Sequence, residues 1–182
     1  AVSCNQNDVR AAIGNASDGD TVLVPAGNCK WDNRLIITKG IYLKGAGRDI
    51  TNLTGNLSST YLVTYEPWNY SANRAFRISG FTIDLANNFS GIALGYGSKV
   101  APFVLQTNIR IDHNRFINGQ TKTHHAIWNY ARMFGVIDHN QIENVSYHTR
   151  ADAGVTSSYW DYFTFNFGKE DNLYFEDNVF LG

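Results

Sequence analysis

A ten-residue pattern recurs along this chain and constrains its fold. Residues 109–118, IRIDHNRFIN, return as GVIDHNQIEN at 135–144 and, more loosely, as LYFEDNVFLG at 173–182. Each copy has an apolar residue three positions before an asparagine and another two positions after it, and these asparagines are Asn114, Asn140 and Asn178. Apolar alternation on both sides predicts two short strands. Asparagine suits the tight bend between them because it tolerates left-handed backbone.

The spacing of the repeats predicts how the strands are arranged. The asparagines lie 26 and 38 residues apart, and a recurrence of roughly 20–30 residues with insertions is typical of stacked coils of strands. FRISGFTIDL at 76–85 keeps the apolar spacing, with Gly80 near the turn. Because one coil cannot bury its apolar face alone, successive coils must stack. We therefore predict an all-β fold, a parallel β-solenoid, as a single domain over residues 1–182.

The two ends of the chain give different expectations. Residues 8–17 carry apolar residues at helical spacing, with Asp8 in the N-cap position. A short amphipathic helix would cover the strand edge of the first coil, so we predict an N-terminal cap over residues 1–20. At the other end NVFLG stops within a repeat. We expect either a continuation beyond residue 182 or stacking of copies through an open C-terminal coil.

Composition restricts the environment and the partners. The net charge is −1, so no basic field indicates a nucleic-acid partner. Only 17% of residues are charged and 14% are aromatic, a balance typical of β-rich extracellular proteins. No apolar run is long enough to span a membrane. We predict a secreted or cell-surface protein, in which Cys4 and Cys29 form a disulfide; two free thiols are the alternative.

Six Asn-X-Ser/Thr sequences are candidate glycosylation sites if the source has the machinery. They begin at Asn15, Asn52, Asn56, Asn69, Asn88 and Asn144.

The N-terminal quarter of the chain resembles a known superfamily. DVRAAIGNASDGDTVLVPAGNCKW at 8–31, followed by ITKGIYLKGAG at 37–47, closely resembles the opening of secreted right-handed parallel β-helix proteins of the pectate-lyase-like superfamily. With the asparagine repeats, the resemblance covers essentially the whole chain. It implies a right-handed parallel β-helix. It implies no single activity, because the superfamily contains lyases, hydrolases, epimerases and non-enzymatic surface proteins.

In proteins of this resemblance the substrate groove runs along one sheet beside the longer loops. The candidate strands here are GIALGY at 91–96, HHAIWNY at 124–130 and YWDYFTFNF at 159–167, and residues 146–158 are expected to form a loop. Alternation in HHAIWNY predicts Ala126, Trp128 and Tyr130 in the core, with His125, Ile127 and Asn129 outside. In YWDYFTFNF it predicts Phe163, Phe165 and Phe167 in the core, with Trp160, Tyr162, Thr164 and Asn166 outside.

This assignment of inward and outward residues suggests a catalytic arrangement. His125 and Tyr162 would lie on neighbouring coils, roughly 5 Å apart, where a neutral histidine removes a sugar proton and a tyrosine protonates the leaving oxygen. A uronate carboxylate would be neutralised by basic residues at adjacent positions, namely Lys122, Arg132 and Arg150. Trp160 would stack on a sugar ring, with Asn129 and Asn166 as further substrate-binding residues. A packing or turn-anchoring role is the alternative for each of them.

The recurring Asp112–His113 and Asp138–His139 pairs invite a different catalytic interpretation. Paired carboxylates bind Ca²⁺ or act as acid and base on a sugar. Repetition in register favours structural stacking instead, because an active site is needed only once. The sequence has no zinc or nucleotide motif, and it lacks the Arg-X-Pro-X-X-Arg segment of pectate lyases and the Asn-Thr-Asp, Asp-Asp and Gly-His-Gly set of polygalacturonases. We expect no metal site and no cofactor, with Ca²⁺ as the one candidate.

Two functions of different classes fit the sequence. The first is a secreted protein that binds, and in its enzymatic form cleaves, an acidic polysaccharide by β-elimination or hydrolysis. The second is a structural or adhesive solenoid whose coils stack head-to-tail into filaments. The superfamily resemblance favours the first function, whereas the missing catalytic signatures favour the second.

Overall fold

The computed structural model describes residues 1–55, 57, 60–67, 72–86, 90–95, 105–119, 124–130, 133–153, 158–159 and 173–182, with backbone alone at 147–153 and 158–159. Within these ranges the chain forms one helix, α1 (Gln6–Asn15), and eighteen strands.

The strands follow one another in coils, with three strands in each of the first four coils. In chain order they are β1 (Thr21–Val24), β2 (Gly27–Trp31) and β3 (Leu35–Ile37); β4 (Tyr42–Gly45), β5 (Thr51–Gly55) and β6 (Tyr61–Tyr65); β7 (Phe76–Ser79), β8 (Thr82–Asp84) and β9 (Ser90–Leu94); β10 (Gln106–Asp112), β11 (Arg115–Ile117) and β12 (His125–Asn129); β13 (Met133–Asp138), β14 (Gln141–Glu143), β15 (Tyr147–Ala153) and β16 (Ser158–Tyr159); and β17 (Leu173–Glu176) and β18 (Val179–Leu181).

Equivalent strands of successive coils pair into three sheets. The first sheet is β1-β4-β7-β10-β13-β17, the second is β2-β5-β8-β11-β14-β18, and the third is β3-β6-β9-β12-β15-β16. Every pair is parallel except β15–β16, which is antiparallel. The repeat register predicted from the sequence is present, because Ile78, Ile111, Ile137 and Phe175 pair directly across the first sheet. The prediction of an all-β chain is confirmed, and its three parallel sheets are consistent with a parallel β-solenoid.

Helix α1 packs on the first coil through Val9 and Ile13, which are buried in the core. The ammonium group of Lys39 donates hydrogen bonds to the carbonyl oxygens of Ile13, Gly14 and Ala16 at the end of the helix, where backbone acceptors have no helical partner. The predicted N-cap was wrong. The helix begins two residues earlier than predicted, so Asp8 lies in its first turn and accepts a hydrogen bond from the Ser3 hydroxyl at 2.5 Å.

The repeated asparagines stack between the first and second sheets. The backbone N–H of Asn114 donates to Oδ1 of Asn140 at 3.0 Å, and the backbone N–H of Asn140 donates to Oδ1 of Asn178 at 2.9 Å. The left-handed conformation that the sequence suggested for the asparagines belongs instead to the residues before them: His113, His139 and Asp177, with φ of 55°, 54° and 51°. The side chains of Asn114 and Asn140 each donate a hydrogen bond to the asparagine of the next coil.

A disulfide joins Cys4 to Cys29, as predicted. It ties the segment before α1 to β2, and the indole N–H of Trp31 donates to the Cys4 carbonyl oxygen at 2.9 Å. Within the described part of the chain, no helix has the length and apolar character needed to cross a membrane.

Candidate functional site

The predicted site strand carries an aromatic cluster on the third sheet. Strand β12 lies between β9 and β15. The ring of Trp128 stacks on Tyr130 with centroids 4.9 Å apart, and it meets the ring of Tyr61 edge-on at 5.9 Å. The His125 ring lies 4.4 Å from that of Trp128. Tyr61, from two coils earlier, shares a hydroxyl–hydroxyl hydrogen bond with Tyr130. These four residues form what we call the aromatic cluster.

The predicted phase of β12 was wrong. Ile127, expected outside, lies in the core, and Trp128 and Tyr130, expected in the core, are only partly buried. His125 and Asn129, also expected outside, are buried; His125 is 4% exposed. The predicted burial of Ala126 agrees with the structure. The physical reason is visible in β9, which pairs with β12, and in β6, the next strand beyond it, because every residue of both strands is buried. When both faces of a strand are covered, alternation no longer distinguishes inside from outside.

Residues 147–153 were expected to be part of a loop, but they form strand β15, which pairs with β12. Arg150 therefore occupies a strand position in register with Trp128, rather than a loop. The predicted neighbour of β12, residues 159–167, lies almost wholly outside the described residues, as do Lys122, Arg132, Trp160, Tyr162 and Asn166. The proximity of His125 and Tyr162 thus remains a prediction, and so do the roles of the other candidates.

The Asp–His repeats are connected from coil to coil. Asp112 accepts hydrogen bonds from Nε and Nη2 of Arg77 at 2.7 and 2.6 Å. Asp138 accepts the same pair of bonds from Arg110 at 2.9 and 2.7 Å. Each arginine belongs to the coil before its aspartate, so the bidentate pairs join neighbouring coils. Such charge-assisted pairs are stronger than neutral hydrogen bonds. We call Arg77, Asp112, Arg110 and Asp138 the Arg–Asp ladder.

The histidines of the repeats stack beside this ladder. Nδ1 of His113 lies 2.8 Å from Oδ2 of Asp112, and Nδ1 of His139 lies 2.8 Å from Oδ2 of Asp138. The two imidazole rings are parallel, with centroids 5.0 Å apart. Each aspartate therefore already binds an arginine and a histidine of the chain itself. This arrangement agrees with the structural interpretation of the repeats.

The ladder also perturbs the ionisation of its members. Hydrogen bonds from Arg110 hold the pKa of Asp138 below its usual value, and His139 contributes in the same direction. The hydrogen bond to Asp112 raises the pKa of Arg77, and the bond to Asp138 raises that of Arg110. The Asp138 carboxylate and both guanidinium groups therefore remain charged at neutral pH.

A groove on the first sheet was missed by the sequence analysis. It has a volume of about 440 Å³ and lies across β4, β7, β10 and β13, with Tyr42, Arg77, Arg110 and Phe134 among its lining residues. The sequence pattern could have revealed this groove. In the three coils that carry them, the inward apolar residue is immediately preceded by Tyr42, Arg77 or Arg110. Because such side chains alternate to the outer face, aligning the repeats would have placed them next to one another.

Three of the candidate glycosylation sites are described, and their occupancy remains a prediction. Asn15 and Asn144 are exposed, whereas Asn52 donates a hydrogen bond to Oδ1 of Asn28 at 2.7 Å. The other three, Asn56, Asn69 and Asn88, lie outside the described residues.

No protein-family model matches the chain, and no curated protein matches it significantly. Among the described residues, no group of three or more histidine, cysteine, aspartate or glutamate side chains is arranged to hold a metal ion. The candidate Ca²⁺ remains a prediction.

Proposed function

We propose that this chain is a secreted right-handed parallel β-helix of the pectate-lyase-like type that binds an acidic polysaccharide along its third sheet. Cleavage by β-elimination or hydrolysis at the same place is the enzymatic form of the proposal. The observation that carries it is the aromatic cluster of Tyr61, His125, Trp128 and Tyr130.

The cluster has the features that a sugar-binding surface needs. Trp128 is partly exposed and is fixed by ring contacts with Tyr61 and Tyr130. Rigid aromatic side chains offer a large apolar area at low entropic cost. Tyr130 is also partly exposed and adds a polar hydroxyl beside this area, and the buried Tyr61 and His125 pack against Trp128. Together Trp128 and Tyr130 provide an apolar platform with a polar group beside it, a combination typical of small-ligand sites.

Charge on the neighbouring strand favours an acidic ligand. Arg150 is in register with Trp128 on the adjacent strand, and neighbouring strands are about 4.8 Å apart. An arginine guanidinium group pairs with a uronate carboxylate by two parallel hydrogen bonds. This pairing selects an acidic polysaccharide over a neutral one.

A binding and activity panel tests the proposal. The intact protein would be incubated with pectate, alginate, glycosaminoglycans and neutral glucans, with and without Ca²⁺, while affinity, unsaturated-uronate absorbance and new reducing ends are followed. Trp128→Ala should weaken binding of the preferred acidic polymer at least tenfold, which corresponds to about 1.4 kcal/mol. Ile36→Ala is the matched control, because Ile36 is an exposed apolar residue on the first strand of the same sheet.

Each outcome has a distinct meaning. Absorbance at the unsaturated-uronate band would identify a lyase, and reducing ends without absorbance would identify a hydrolase. If the folded protein binds none of the acidic polymers, or if Trp128→Ala binds as tightly as Ile36→Ala, the proposal is wrong.

The structural rod is the second candidate function. One observation favours it: Val179, Phe180 and Leu181 of β18 expose about half of their apolar side chains. Exposed apolar strands at the edge of a sheet are pairing surfaces. Light scattering that grows with protein concentration, and is abolished by Phe180→Lys, would support stacking of copies. A monomer at every concentration would refute it.

A further inference from the structure

The groove on the first sheet is distinct from the aromatic cluster, which lies on the third. Its central column is formed by side chains in register on four neighbouring strands, namely Tyr42, Arg77, Arg110 and Val136. The intervening residues of these strands point into the core, so the column lies on the outer face. Four strands at about 4.8 Å spacing give a length of roughly 14 Å.

The groove presents positive charge. Among the described residues, its lining includes two arginines and no carboxylate. The aspartates that pair with the arginines lie beneath them: the side chains of Arg77 and Arg110 are 36% and 44% exposed, whereas those of Asp112 and Asp138 are 0% and 5% exposed. A ligand in the groove therefore meets the guanidinium groups and not the carboxylates.

Each guanidinium group retains donors for a ligand. The aspartate bonds use Nε and Nη2. Within the part of the chain that the structure describes, both N–H groups of Nη1 and the second of Nη2 therefore have no aspartate partner. A guanidinium group carries five N–H donors in a fixed planar fork. Because the Arg–Asp ladder holds one edge of each fork, the opposite edge is presented in a fixed orientation, which reduces the entropic cost of binding an anion.

Aromatic rings flank these cations. The Tyr42 ring lies 4.5 Å from the Arg77 guanidinium carbon, and its hydroxyl is 2.6 Å from Oγ of Ser79. On the other side, Phe134 is held edge-on by Tyr174 at 6.1 Å. Tyr42 and Phe134 both line the groove. Two ordered cations between two ordered aromatic rings fit a ligand that has anionic groups attached to rings.

We propose that this groove is a second binding site for carboxylated sugar units, separate from the aromatic cluster. The choice of sugar acids as the ligand class rests on the proposed function; the preference for a ring-bearing anion rests on Arg77, Arg110, Tyr42 and Phe134. With sites on two sheets, one protein contacts two segments of an acidic polysaccharide, or two chains of it.

Ala75 permits a test that replaces no member of the Arg–Asp ladder. This residue is exposed and lines the groove. Ala75→Glu introduces a negative charge there, and Ala75→Gln introduces a side chain of the same size without charge. A trimer of galacturonic acid would be titrated into each variant, with a neutral glucose trimer as the ligand control. The readout would be the Nε–H resonances of Arg77 and Arg110 in ¹H–¹⁵N spectra.

The expected result is specific for charge. The acidic trimer should shift both arginine resonances in the wild type and in Ala75→Gln, and its affinity should fall at least tenfold in Ala75→Glu. Unshifted resonances in the wild type, equal binding by the Glu and Gln variants, or equal binding of the neutral trimer would each overturn the proposal.

The two proposals, for the aromatic cluster and for the groove, can be refuted independently of each other. Trp128→Ala should leave the arginine shifts unchanged, because Trp128 lies on another sheet. If the acidic trimer shifts the arginines while polymer binding is insensitive to Trp128→Ala, the proposed function at the cluster is wrong and the groove remains. If Trp128 controls polymer binding while the arginines stay unshifted, the groove proposal alone is wrong.

Discussion

Replacement of the middle asparagine of the turn should be among the most damaging substitutions in this protein. Asn140 is buried and makes four side-chain hydrogen bonds. Its Nδ2 donates to the Ile111 carbonyl oxygen at 2.8 Å and to Oδ1 of Asn178 at 3.0 Å. Its Oδ1 accepts from the backbone N–H of Asn114 at 3.0 Å and from its Nδ2 at 3.2 Å. The side chain thus joins three consecutive coils.

The expected cost follows from these four bonds. A hydrogen bond contributes about 0.5–1.5 kcal/mol net, and a buried group left without a partner costs about 1–3 kcal/mol. Asn140→Ala leaves the Ile111 carbonyl and the Asn114 amide without this partner in the interior. We expect the free energy of unfolding to fall by about 3–4 kcal/mol, a large share of the roughly 5–15 kcal/mol of an ordinary domain.

Asn178, at the end of the asparagine stack, provides a comparison in which a smaller loss of stability is expected. Asn178 donates to the Ile137 carbonyl oxygen at 2.7 Å and accepts from the backbone and side chain of Asn140. It is only partly buried, so water replaces some of these bonds after substitution. Asn178→Ala should therefore cost about 1–2 kcal/mol.

Urea unfolding followed by far-UV circular dichroism would measure these costs. Asn28→Ala is the control, because Asn28 is exposed and surface substitutions usually change stability by less than about 0.5 kcal/mol. If Asn140→Ala costs no more than Asn178→Ala, or resembles Asn28→Ala, the asparagine stack does not stabilise the fold as argued.

Two further predictions concern the repeats. Because hydrogen bonds from Arg110 lower the pKa of Asp138 in the folded protein, its carboxylate contributes stability that is present above the unfolded pKa of about 3.9 and is lost as pH falls through the folded pKa. Urea titrations across the acid range should show a shallower loss in Asp138→Asn than in the wild type, and identical slopes would contradict this. His113→Ala and His139→Ala should each lower stability by about 1 kcal/mol and leave polysaccharide activity intact. Complete loss of activity in either folded variant would overturn the structural interpretation of the Asp–His repeats.

The first sheet was predictable because its inward positions recur in every coil. Ile111 and Ile137 occupy the same place in two nearly identical repeats, and they pair directly in the structure. The conformation of the turn was assigned to the wrong residue. Asparagine has the higher intrinsic tolerance of left-handed backbone, but the asparagine side chain is required for the stack. The residue with positive φ is therefore the histidine before each asparagine, His113 or His139. Tertiary contacts, and not local propensity, determine this conformation.

The third sheet was less predictable for a different reason. The residues of β6 and β9 are buried on both faces, so their sequences do not alternate between apolar and polar. Strand β12 lies beside β9 and offers Ile127 and Trp128 in succession, both acceptable in a core. A one-residue error in phase exchanges the two faces. The groove on the first sheet was missed because Tyr42, Arg77 and Arg110 are distant in sequence and meet only through the coil register.

The contacts of the Asp–His–Asn repeats connect stability to the proposed second site. Within each repeat, the aspartate binds an arginine of the preceding coil, the histidine lies beside that aspartate, and the asparagine bonds to its equivalents. The same aspartates fix the arginines that line the groove. A substitution at Asp112 would therefore release Arg77 and weaken the stacking of coils together, so that lost binding and lost stability could not be separated. Ala75 lines the groove and is not a member of the Arg–Asp ladder, so charge introduced there tests binding without removing an aspartate that holds the coils together.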